Sequence, residues 1–372
     1  MSYQTFLDNR TPFIADKFVL PDKDGQEFVL VVVSATFCQE GSCSRLQLAA
    51  RQSSLELADL YFGPPHIASV RRESDIALVK PFVDVLINGR AYAPHERPTT
   101  SVNASVAVGD IRKELLVSGD RAWRKGSFGT AATSPKPFVS MPITYERAFG
   151  GIDMRPNDPK KHAAEVRNLS GVGFRGTCSY DPTILTELPN IEYPNDRQST
   201  QSDLPQPAGF GVVSRGWQPR LAFAGTFDPV WLTQRWPLLP SDFDPRHYQA
   251  APRDQQSSKI LGGETVILKN LTPEGLWQFR LPTLKVPMWL LFDNKTENVR
   301  MRLDTLMIEP DAKQVTLICR GGIRTRRNRP ALREIVLGNM SAGWLRARCV
   351  GKRYVDLAGQ NGVLRYAPAY VL

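Results

Sequence analysis

The chain has 372 residues and a formal net charge of +10, with apolar and charged fractions ordinary for a globular protein. That length suggests two domains, or one large β domain with insertions, and it suffices to bury a core without staples. The longest apolar run, Phe28 to Val33 extended to Phe37, has the length of a strand rather than the roughly 20 residues of a membrane helix, and Met1 to Phe13 lacks the basic start and apolar core of a secretory signal.

Read in chain order, Phe28 to Phe37 is a β-rich run expected to be buried on both faces. Val83, Val85 and Ile87 alternate with Asp84, Leu86 and Asn88, and Asn88-Gly89 supplies a turn. Val102, Ala104, Val106 and Val108 share a strand face. Gly109-Asp110 follows, and Ile111, Lys113, Leu115 and Val117 alternate on the way back. Glycine accepts the positive φ of a two-residue hairpin turn, so a hairpin is predicted here. From about Ser127 to Ser258 the chain is rich in Gly, Pro and Asp, with two proline-bearing stretches, Thr133 to Pro142 and Pro182 to Pro207, that read as long loops. Dense aromatics in the same region argue for ordered, irregular structure folded over the β core. Short helices are expected around Pro159 to Val166 and Asp228 to Arg235. Strand patterns resume at Gly263 to Lys269, Trp277 to Leu281, Val286 to Phe292, Val299 to Ile308 and Val315 to Cys319, and their spacing reads as a meander.

The expected fold is therefore mainly β: a sandwich-like antiparallel core, a long, irregular, aromatic-rich middle region and a few short helices. The chain divides by pattern into an N-terminal β part (1–126), the irregular middle (127–258), a C-terminal meander (259–321) and a basic extension (322–372). From Arg320 to Arg353 there are ten basic residues and one acid, Glu334, so the positive charge is local.

The cysteines, Cys38, Cys43, Cys178, Cys319 and Cys349, are odd in number and scattered, which fits thiols in a reducing compartment better than a disulfide framework or a metal site. His66, His95, His162 and His247 lack the spacing of a zinc protease helix. No nucleophile elbow or phosphate-binding loop occurs, and Gly171-x-Gly173-x-x-Gly176 has no strand–helix unit around it. No metal or cofactor is expected. Glu146, Asp153, Asp228, Asp242 and Asp244 lie in the aromatic-rich middle, so a carbohydrate-active or carbohydrate-binding protein is an alternative. A basic docking patch of Arg324, Arg326, Arg327, Arg329 and Arg333 could take an anion or nucleic acid. Its sparse aromatic interleaving favours an acidic protein partner, steered by the charge, over nucleic acid.

Several motifs then occur in a fixed order: Arg72-Glu73-Ser74-Asp75, Lys80-Pro81 with Asp84-Val85, Gly89-Arg90-Ala91-Tyr92-Ala93-Pro94, and Gly119-Asp120-Arg121-Ala122-Trp123. Pro142-Ile143-Thr144-Tyr145-Glu146-Arg147-Ala148-Phe149-Gly150-Gly151 follows, then Gly171-Val172-Gly173-Phe174, Trp217-Gln218-Pro219-Arg220, and Ala224-Gly225-Thr226-Phe227-Asp228 with Trp231. Asp242-Phe243-Asp244-Pro245-Arg246, Asp254-Gln255-Gln256, Leu303-Asp304-Thr305 and Arg320-Gly321 close the series. In these motifs the chain resembles a family long labelled a domain of unknown function and associated with type VI secretion. Cys319 stands where the family pattern has tryptophan, and Leu169-Ser170 replaces a proline-containing pair.

The resemblance implies a non-enzymatic cytoplasmic adaptor or chaperone of a Gram-negative bacterium. Its partners would be a type VI secretion effector, often PAAR-bearing, and the spike (VgrG/PAAR) proteins onto which the effector is loaded. It makes Glu73, Asp75, Tyr92, Asp120, Arg121, Trp123, Tyr145, Glu146, Arg147, Phe149, Trp217, Arg220, Asp228 and Trp231 candidates for partner contact. Glu73, Asp75, Asp120, Arg121, Glu146 and Arg147 can equally form a buried polar network that fixes the long loops.

Overall fold

The structure is a computed structural model that describes residues 5–352 apart from 42–44, 66, 127–128, 177–185, 294, 326–329 and 351. It is mainly β, with 40% strand and 11% helix. The principal strands in chain order are β1 (Phe6–Asn9), β2 (Ile14–Pro21), β3 (Glu27–Cys38), β4 (Val83–Ile87), β5 (Ser101–Val108), β6 (Ile111–Ser118) and β7 (Ile191–Glu192). After the irregular middle come β8 (Gln256–Ser257), β9 (Thr265–Lys269), β10 (Leu276–Arg280), β11 (Pro287–Phe292), β12 (Thr296–Arg300), β13 (Arg302–Glu309), β14 (Gln314–Arg324) and β15 (Leu332–Leu337). The helices are α1 (Pro229–Gln234) and α2 (Ala342–Cys349).

Three sheets carry the core. The largest runs β2-β3-β14-β13-β4-β8, the second β7-β6-β5-β9-β10, and the third β1-β15-β11-β12. Pairing is mostly antiparallel; β13 with β4 and β1 with β15 are parallel. One apolar cluster joins all three inner faces: Val29, Val31 and Val33 from β3, Val106 and Leu115 from the hairpin, and Leu290 and Ile335 from the third sheet. Alternation in β3 sends Leu30 and Val32 to the opposite face, where they pack with Ile318, Leu55 and Ile76. The expectation that this strand is buried on both faces therefore holds, and the reason is the loop laid over its outer side. The Gly109-Asp110 hairpin forms in the expected register, from Val108↔Ile111 to Val102↔Val117, with Gly109 at φ +57°.

The C-terminal strands do not form the expected meander. β9 and β10 join the hairpin, β11 and β12 join β1 and β15, and β13 and β14 join β3 and β4. Nor is Val299 to Ile308 one strand. The chain breaks at buried Met301 and crosses from β12 in one sheet to β13 in another, so the alternation on either side belongs to different faces. The expected helix at Pro159 to Val166 is a three-residue 3-10 turn, Pro159–Lys161, capped by Asp158. It is followed by Ala163–Ala164 paired with Ile152–Asp153. The helix expected at Asp228 to Arg235 is α1, capped by Asp228, whose carboxylate accepts from the Trp231 N–H at 2.7 Å. The boundary expected at residue 322 falls inside β14, and β15 beyond it is an interior strand of the third sheet.

Candidate functional site

β4 places Asp84 on the side of the largest sheet that faces the loops, fully buried. Its carboxylate accepts from Lys80 Nζ at 2.8 Å, Gln249 Nε2 at 2.7 Å and the N–H groups of Ala250 and Ala251 at 2.8 and 3.1 Å. Lys80 Nζ also donates to Thr305 Oγ1 at 3.0 Å, and Thr305 donates to Asp304 at 2.9 Å. Asp304 pairs with Arg320, whose guanidinium donates twice more to the Asp75 carbonyl, at 3.0 and 2.8 Å. Burial pushes the Asp304 carboxyl up, opposed by Arg320 and then Lys80; burial likewise pushes the neighbouring Cys319 thiol up. Four sequence motifs, spread from Asp75 to Arg320, thus meet in one buried ionic network. Charges taken from water persist only when so satisfied.

A second network continues from Asp75 toward the surface. Glu73 pairs with Arg220 at 2.7 Å and Arg215 at 3.1 Å, and Arg215 reaches Asp59 at 3.0 Å. Arg220, itself buried, also donates to the carbonyls of Val213 and His247, each at 2.7 Å. The Trp217–Arg220 segment is therefore stitched to the Glu73–Asp75 loop.

The central motif forms the third group. Glu146 accepts from the Ser69 N–H and hydroxyl at 2.5 and 2.9 Å. Arg147 donates to Asn190 at 3.1 Å and to Asp120 at 3.4 Å, and Arg121 pairs with buried Glu192 at 2.6 Å. Glu146 and Arg147, which lie in the 3-10 turn Tyr145–Arg147 rather than on a strand, thus pair elsewhere. Tyr145 is buried edge-on against Trp217, with ring centroids 5.4 Å apart. Asn168 donates to the Tyr145 and Phe149 carbonyls at 2.8 and 3.0 Å. The double glycine follows because Gly151 has φ +104° and a Cβ there would stand 2.5 Å from the Gly171 carbonyl oxygen.

Of the candidate contact residues, Asp75, Trp123, Tyr145, Phe149, Trp217 and Arg220 are buried, and Glu73, Tyr92, Arg121, Glu146, Arg147 and Trp231 are half-buried. The Tyr92 hydroxyl donates to Asp311 at 2.8 Å, and burial with that bond pushes its pKa up to about 12. Asp120 and Asp228 are exposed. Six of the fourteen, Glu73, Asp75, Asp120, Arg121, Glu146 and Arg147, make polar contacts within the protein, Asp120 at its surface.

Large apolar side chains are exposed at many points of the chain, α1 and its flanks among them. Phe227, Val230, Leu232 and Trp236 on and beside α1 are 56%, 57%, 60% and 65% exposed. Trp231, the candidate on this helix, instead turns inward and donates from Nε1 to the Leu238 carbonyl at 2.9 Å. Arg235 holds the segment down through the carbonyls of Leu239 at 3.0 Å and Lys23 at 2.5 Å. Trp236 thus faces out five positions after a tryptophan that faces in. The sequence offers the whole Trp231–Trp236 stretch as anchors if exposed, without telling which tryptophan faces out.

The described part of the basic patch is neutralised in place. Arg324 pairs with Asp22 at 2.7 Å and Arg333 with Asp293 at 3.0 Å, while Arg320 is buried. Arg326, Arg327 and Arg329 lie outside the described residues. The carboxylates that suggested carbohydrate chemistry are also engaged. Asp153 is held to about 2, chiefly by Arg155, Asp228 caps α1, Asp242 binds Thr226, and Asp244 binds Arg246. Among the described residues no group of three or more His, Cys, Asp or Glu side chains is arranged to hold a metal, and no helix is long and apolar enough to cross a membrane.

No curated protein and no solved structure matches this chain. A family model, described as an uncharacterized protein conserved in bacteria (DUF2169), matches residues 24–320. That span contains all three polar networks and the α1 ridge, and the chain belongs to the DUF2169 family.

Proposed function

We propose that this protein is a non-enzymatic adaptor of a type VI secretion system. In the cytoplasm of a Gram-negative bacterium it would bind an effector, one associated with a PAAR tip, and help load it onto the VgrG spike. Family membership and the ordered motifs support the reading. The observation that carries it is the α1 ridge. Four large apolar side chains, Phe227, Val230, Leu232 and Trp236, stand in solvent on a scaffold braced by buried ion pairs. Tryptophan and other large side chains left in solvent carry binding energy disproportionately once a partner covers them. A rigid scaffold lowers the ordering cost of binding. The middle-region carboxylates serve as caps and ion pairs, which favours a binder over the carbohydrate-active alternative.

The test is affinity purification of the tagged chain from its host, with mass spectrometry of the co-purifying proteins. An effector or spike protein at near-stoichiometric yield is expected. Recovery of nucleic acid alone, or of nothing, would overturn the reading.

A further inference from the structure

β6 has an open edge. β5 pairs with it along its whole length, but on the other side β7 pairs only at Leu116 and Val117. The chain then turns away through the Tyr193↔Asp196 bridge. Alternate residues of a strand direct their N–H and C=O groups to the same edge. The Ser118 N–H bonds the Asn190 carbonyl at 2.8 Å on the β7 side, so the backbone groups of Arg112 and Glu114 face that side too, beyond the last β7 pair.

A groove of ≈ 460 Å³ lies along this edge, between Arg112, Lys113 and Glu114 on β6 and a wall of Tyr193, Asn195 and Asp254. The wall is preset. Asp254 accepts from Lys113 Nζ at 2.9 Å and from the Tyr193 hydroxyl at 3.0 Å, and the ammonium lies 5.2 Å from the Tyr193 ring centroid. Lys113 occupies a core-facing position of β6 with its side chain 1% exposed, whereas Asp254 is 40% exposed in the groove. Burial lowers the Lys113 ammonium to about 8, opposed by Asp254. Arg112 and Glu114 sit on the exposed face of the strand, two residues apart and of opposite charge.

We propose that this groove takes an extended segment of a partner protein as an added strand on β6. An acidic and a basic side chain, two residues apart on the guest, lie against Arg112 and Glu114. Main-chain hydrogen bonds from the edge supply affinity, and the cross-strand charge pairs supply register. The inference rests on the adaptor reading only for the partner's identity.

The experiment is a selection of random ten-residue displayed peptides on the immobilised full chain. Peptides with alternating β-formers and an acid and base two apart are expected on the wild type and lost on Glu114→Pro. That substitution removes an N–H that faces the groove and no bond to β5, a position where an edge strand tolerates proline. N-methylating alternate residues of the selected peptide blocks the same bonds from the guest side, so the test stands even if the proline variant misfolds. Affinity should drop roughly tenfold or more. Failure to enrich such peptides, or unchanged affinity after N-methylation, would overturn the proposal. Arg112 and Glu114 would then be edge charges that guard against aggregation. Neither result bears on the adaptor reading, which co-purification of an effector decides separately.

Discussion

The Asp84 network and the α1 ridge are built from similarly conspicuous residues, and the fold treats them oppositely. Lys80, Asp84, Asp304 and Arg320 are charged and buried; Leu232 and Trp236 are apolar and exposed. In the first, each charge is matched by fixed partners, four donors on Asp84 alone. In the second, Arg235 and the Trp231 indole bond backbone carbonyls, which holds the segment in place and leaves its apolar side chains unmatched. The lesson is that the polar motifs chiefly build the scaffold, while the large apolar side chains of α1 are left in solvent.

The largest test of this contrast is Asp84→Ala. It strands a buried ammonium and three further donors, so a loss of about 3–5 kcal/mol is expected. A lower midpoint in chemical or thermal unfolding measures it. A midpoint shift no larger than that of a surface substitution would refute the bracing role. Trp217→Ala should cost about as much, roughly 3–5 kcal/mol, because it removes a buried ring and the edge contact to Tyr145. Gly151→Ala comes next. Its positive φ and its closeness to Gly171 predict a loss of about 1–3 kcal/mol, with the damage confined to the central motif. Trp236→Ser sharpens the comparison from the other side. Its stability should change by about 0.5 kcal/mol or less, while effector co-purification falls markedly. Equal recovery of the effector would remove the ridge from the interface.

How much of this was legible in sequence depended on whether the signal was local. The strand at Phe28, the Gly109-Asp110 hairpin and the short helix after Asp228 are written in neighbouring residues and formed as expected. The placement of strands was not local. Alternation continues across Met301 although β12 and β13 belong to different sheets, because each face is apolar where it meets the common core. The site followed the same rule. The acid and base motifs were visible, but Asp75 and Arg320 lie 245 positions apart in sequence, so their meeting could not be read. Lys113 appeared only as a polar residue in an apolar alternation. Its pairing with Asp254 depends on the middle region folding back.

Lys113 provides a pH test of that pairing. Its folded pKa is lowered from 10.5 to about 8, chiefly by burial. The folded state therefore holds fewer protons than the unfolded chain between those values, and this group's contribution to stability rises as pH climbs through that window. Relative to Lys113→Met, the wild type should gain stability from pH 8 to 10.5, measured by denaturant unfolding at each pH. Parallel stability curves for the two proteins would show that the buried lysine does not titrate in this range.

The smallest expected effect concerns the basic run. Arg324 is balanced by Asp22, whose carboxylate is mostly buried and accepts from the Asp24 and Gln26 N–H groups at 2.9 Å each. Arg324→Gln should therefore act on stability, by about 1 kcal/mol or less, since the arginine itself is half exposed. It should leave the association rate with an effector nearly unchanged. Replacing Arg326, Arg327 and Arg329 together by Gln removes three formal charges from a segment of strong positive excess. If that charge steers an acidic partner, this triple variant slows association and flattens its dependence on salt, while Arg324→Gln does neither. Stopped-flow association at low and moderate ionic strength separates the two. Identical salt slopes for the wild type and the triple variant would end the steering idea.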